Sequence, residues 1–206
     1  MESIWAAENL RTIRTLMERA AVYRRALAPI MIFCGVVGVA GGILGWQAHI
    51  NTTRGFVEFW IGMAVLGLAG SFMLMRRQAL KDSEPFWSPP TRRVAQALLP
   101  PFVIGAVVAG TFCTFPEDAG VHPILVVVWA WAYGCATCAA GSFMPRGIKL
   151  LGWTFIIVGC GLVAGWLWRD ELNEVSPHLL MGAIFGGLHL AYGIYLYFTE
   201  KRGNES

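Results

Sequence analysis

Cysteine and histidine carry most of the reactive potential of this chain, which has five of the first and four of the second in 206 residues. Cys135-x-x-Cys138 has the spacing of a redox or metal-binding pair. Reactive pairs of that spacing use a helix N-terminus or a neighbouring cation to lower a thiol pKa. Here Gly134, Ala136 and Ala139 surround the pair inside a long apolar run. Small thiols filling a packed face are therefore the expectation. Of Cys34, Cys113 and Cys160, only Cys113 falls near an outer boundary, so no outer disulfide is expected.

His189 is the one imidazole deep in an apolar run, and Tyr192 follows it by three residues on the same helical face. The two form a candidate intramembrane polar site. The expected state is a neutral ring bonded to a Thr, a Tyr or a backbone carbonyl. A haem needs a second well-placed axial residue. His178, three helical turns earlier on the same face, suits neither a haem nor one metal. His49, His122 and His178 fall near one boundary, with six carboxylates on neighbouring joints. They are weak candidates for a metal or pH-sensing cluster, with solvated loop residues as the default reading. No phosphate-cradling Gly loop, metalloprotease His pair or nucleophile elbow occurs, so no catalytic residue, metal site or cofactor is assigned.

The elements that hold these residues are apolar. The composition is 56% hydrophobic and only 14% charged, with mean hydropathy +0.55. A soluble domain carries about 25% charged residues. The charges here are gathered into clumps between long apolar runs, which makes the bilayer the natural solvent. A net charge of +3 gives no argument for nucleic acid as a partner.

Six runs of about 20 residues are long enough to span, near 26–47, 56–75, 95–115, 121–143, 149–168 and 177–198. The joints sort by charge. Fourteen of the 16 Lys and Arg fall on alternate joints: the lead, the 76–94 linker, the joint with Arg146 and Lys149, and the 199–206 tail. Positive charge marks the cytoplasmic side, so both termini are expected inside. A compact build with short loops points to a cell inner membrane. Residues 1–25 read as a basic amphipathic helix, with Leu10, Ile13, Leu16, Met17 and Ala20 on one side. Such a helix lies in the headgroup layer, or alternatively docks a partner.

The chain also repeats. Gly70-Ser71-Phe72-Met73 returns as Gly141-Ser142-Phe143-Met144, and the same 71-residue shift pairs Trp60 with Trp131. A weaker shift of 124 pairs Val39-Ala40-Gly41 with Val163-Ala164-Gly165. The expected fold is all-α and polytopic. Its six transmembrane helices form three hairpins (26–75, 95–143 and 149–198), preceded by the amphipathic interfacial helix. Pro100 and Pro101 are expected to mark a helix start.

Helices in lipid associate through small residues. Gly38-x-x-x-Gly42, Gly41-x-x-x-Gly45, Gly161-x-x-x-Gly165 and Gly182-x-x-x-Gly186 supply such faces, for internal packing or for a protein partner or second copy. The cores of the spans hold no Asp, Glu, Lys or Arg, which counts against ion-coupled transport. The reading is a non-enzymatic accessory, scaffold or sensing subunit. The alternatives are a small carrier or channel for an uncharged or apolar substrate, and a redox or metal protein using Cys135, Cys138 and His189.

Overall fold

The computed structural model describes residues 27–83, 87, 89–114, 123–144, 147–168 and 175–203. The lead expected to be amphipathic, His122 and the carboxylates Glu117, Asp118, Asp170, Glu171 and Glu174 lie outside them. All regular structure among the described residues is helical: α1 (Leu27–Gln47), α2 (Thr53–Lys81), α3 (Pro89–Phe112), α4 (Ile124–Ala140), α5 (Gly147–Trp168), α6 (Pro177–Met181) and α7 (Leu188–Gly203). A π-helical turn, Gly182–Gly187, joins α6 to α7, so these form one helix with a widened middle. Five helices are long and apolar enough to cross a bilayer. The sixth, α4, has 17 residues. This is the make-up of a helical membrane protein.

The lipid setting accounts for the helices better than propensity does. Ile124-Leu125-Val126-Val127-Val128-Trp129 is rich in β-branched residues, yet it opens α4. In hydrocarbon a helix satisfies every backbone group within its own segment, and this outweighs the cost of stiff side chains. Hydroxyls are satisfied the same way. Ser71, Thr111, Thr137, Thr154 and Thr199 each bond back to the carbonyl four residues earlier.

Several boundaries differ from those expected. α2 continues past residue 75 to Lys81, because Arg76-Arg77-Gln78-Ala79-Leu80-Lys81 is made of strong helix formers. α3 starts at Pro89, so the 76–94 joint is helical at both ends. Pro100 and Pro101 consequently lie inside α3 instead of marking its start. They leave the carbonyls of Gln96 and Ala97 without intrahelical donors. α4 stops at Ala140, short of 143. The repeated tetrapeptides thus differ in setting: Gly70 to Met73 is mid-helix, and Gly141 to Met144 is a turn. The starts of α2 and α4 lie 71 positions apart, at Thr53 and Ile124, whereas those of α1 and α3, Leu27 and Pro89, do not keep that shift.

Glycine sets the packing. α1 and α2 run antiparallel, with Gly41 against Met63 and Trp60 and Gly70 against Phe33. α4 and α5 form a second antiparallel pair, with Gly134 against Gly152 and Ile156. α3 meets α4 where the Trp129 indole donates to the Gly105 carbonyl at 3.1 Å. The chain also closes end to end. α1 lies antiparallel to the last helix, through Gly35 against Leu190, Gly38 against Gly186, Gly42 against Gly182 and Gly45 against His178.

Candidate functional site

Two buried histidines on the last helix are the most developed polar features of the bundle. His178 and His189 are 3% and 5% exposed. An imidazole in an apolar interior is costly unless its nitrogens are paired. Both are.

His178 sits in the first turn of α6 among Phe56, Phe59 and Trp60 of α2. The Trp60 indole donates to its Nδ1 at 3.1 Å. Its Nε2 lies 3.1 Å from the Ile50 carbonyl, which can only accept, so Nε2 carries the proton. The α1–α2 connection is built to place that carbonyl. His49 takes φ 51 there, a left-handed conformation that ends α1 and turns the chain. Thr52 then caps α2 by accepting from the Gly55 amide at 3.1 Å. Gly45 leaves room for the ring, since a Cβ there would collide with it.

His189 faces the other half of the bundle. The Tyr133 hydroxyl on α4 lies 2.6 Å from its Nε2. Its Nδ1 donates to the carbonyl of Phe185 in the π-helical turn, so Nε2 is the bare nitrogen and Tyr133 donates to it. Phe155, fully buried on α5, packs on Tyr133, Phe185 and His189 with ring centroids 4.8 to 5.6 Å away. A thinner polar seam joins α1 to α2, where the Cys34 thiol meets the Ser71 hydroxyl at 3.3 Å.

The other candidate residues separate. Tyr192 is buried on α7 beside Gly147 and is not the partner of His189. His49 is exposed, and its structural part is the backbone turn. His178 is buried where the default reading made it a solvated loop residue, and both its nitrogens are committed. Among the described residues no group of three metal-ligating side chains occurs. Cys135 is exposed on α4, while the Cys138 thiol lies 3.7 Å from the Lys149 carbonyl. Gly38, Gly42, Gly182 and Gly186 meet backbone to backbone. Gly161 faces open space and Gly165 is half-buried.

Sequence reasoning missed Trp60 and Tyr133 as the partners of the two histidines. Trp60 is 5% exposed. Its recurrence as Trp131 was the one available hint. For Tyr133, 56 residues from His189, there was no signal.

No family model matches this chain, and no curated protein or solved structure matches it.

Proposed function

We propose that this chain is a six-span inner-membrane protein that acts through contacts, as an accessory, scaffold or sensing subunit. In this reading three hairpins follow an interfacial amphipathic helix, and both termini are cytoplasmic. The Gly-rich faces left open, such as that around Gly161, are where a protein partner or second copy would pack.

One observation carries the reading: among the described residues, the crossing of α1 with the last helix is closed. The crossing of α1 with the last helix brings backbone against backbone, and a Cβ on Gly38 would lie 2.7 Å from the Gly186 Cα. The buried histidines bond to groups inside the bundle and leave no nitrogen for a ligand. Meanwhile only 11% of the most apolar window of α2 and 17% of that of α3 is buried. Chemistry is thus directed inward to packing, and surface is directed outward to lipid or partners.

The deciding experiment is gentle extraction of the natively expressed protein followed by native mass spectrometry. A stoichiometric protein partner or a defined homo-oligomer is the expected result. A monomer carrying a reproducible small molecule would overturn the reading in favour of a small carrier or channel. That second reading draws on the π-helical turn, since such turns are frequent at functional sites. The orientation is tested separately, with a reporter fused after Ser206 that is active only outside the cytoplasm. It should stay silent.

A further inference from the structure

We propose that the end of the bundle bearing Arg76, Arg77 and Lys81 of α2 and Arg92 and Arg93 of α3 binds the anionic headgroups of the surrounding lipid leaflet. This rests on the membrane reading above, but not on which side faces the cytoplasm. At about 1.5 Å per residue, the 29 residues of α2 reach about 43 Å, against about 30 Å for the hydrocarbon of a bilayer. The last turns of α2 therefore stand at headgroup depth. All five cations are exposed, and among the described residues none of their side chains forms an ion pair. The nearby acid, Asp82, accepts from Gln78 one turn back on its own helix at 2.9 Å.

The opposite end of α2 is built differently. There Arg54 bonds Glu58 at 2.8 Å, so its charge is already matched. The basic end also exposes Leu80 at 72%, beside Lys81, and Trp87 at 63%, between the two groups of cations. A headgroup layer takes both, because Trp prefers the interface and Leu reaches the acyl chains beneath. Phosphate oxygens then supply the acceptors that Arg and Lys lack.

The test uses the full chain in bilayer discs of equimolar phosphatidylcholine and phosphatidylglycerol, with retained lipids counted by native mass spectrometry. Each cation near an anionic surface contributes roughly fivefold to binding. Wild type should retain phosphatidylglycerol over phosphatidylcholine several-fold, with the ratio falling towards one as salt rises. The variant R76Q/R77Q/K81Q/R92Q/R93Q should retain the two lipids equally. Equal retention by wild type, or an unchanged ratio in the variant, overturns the proposal. If the fivefold variant loses helicity by circular dichroism, R92Q/R93Q alone decides by a partial loss of enrichment. Binding of polyglutamate to wild type in pure phosphatidylcholine discs, with release of phosphatidylglycerol from mixed ones, would assign the surface to an acidic protein instead. Failure of the membrane reading would be distinct, as a chain that stays in solution without detergent.

Discussion

His178 and His189 lie on one continuous helix, yet they point into different halves of the bundle and hold opposite tautomers. His178 carries its proton on Nε2 and His189 on Nδ1, because each gives that proton to a backbone carbonyl. The bare nitrogen of each then accepts from an aromatic side chain, Trp60 for one and Tyr133 for the other. His178 thus ties the last helix to α2 and to the α1–α2 connection, and His189 ties it to α4, at two depths.

The Tyr133–His189 bond is open to a double-mutant cycle. Tyr133→Phe strands the His189 Nε2, and His189→Phe strands the Tyr133 hydroxyl. Each single change should destabilise by about 1–2 kcal/mol, and the double change by less than their sum. Unfolding in mixed micelles reads this directly. Strict additivity would mean that the bond contributes nothing.

A second tie is broken by His178→Ala, which leaves the Trp60 N–H and the Ile50 carbonyl without their partner. The expected loss is about 1–3 kcal/mol. Adding Trp60→Phe should recover part of it, since one orphaned donor is then gone. Thermal unfolding of both variants in detergent would show whether it does.

Glycines with the same sequence signature should behave in opposite ways. A methyl on Gly38 meets the Gly186 backbone, which has no flexible end to move aside. Gly38→Ala should cost about 1–3 kcal/mol, as overpacking does. Gly161→Ala meets nothing in the bundle and should be neutral, or stabilising by up to about 1 kcal/mol through helix propensity. If Gly161→Ala instead dissociates a complex with a partner, the open face is an interface.

Cys135→Ser with Cys138→Ser should leave both stability and any cellular phenotype unchanged. The exposed Cys135 faces away from the packed interior, and the Cys138 thiol is satisfied by a neighbouring carbonyl. Loss of a phenotype with retained folding would return the pair to the redox reading.

Much of the helical plan was legible because hydropathy and length speak directly about a bilayer. The long runs with scarce charge appear as α1, α2, α3, α5 and the last helix. Boundaries were less legible, because Arg, Gln and Lys end an apolar run without ending a helix, as at Arg76 to Lys81. The site was harder still. A regular helix puts residues 178 and 189 on one face. The π-helical turn between them adds residues per turn and rotates His189 by about a quarter turn. Nothing in Gly182-Ala183-Ile184-Phe185-Gly186-Gly187 announces that widening beyond its glycines. The pairing of α1 with the last helix is equally silent, since it joins residues about 150 positions apart and is decided by shape.

That closure has a consequence for biogenesis. The Gly35-to-Gly45 stripe leaves the ribosome well before its complementary surface on the last described helix, which follows about 150 positions later. Until then helix α1 carries a small-residue groove whose fitting surface has not yet been made. A nascent chain stalled before Pro177 would keep that groove open. It would be the form most exposed to mispairing and most readily recognised by membrane quality control.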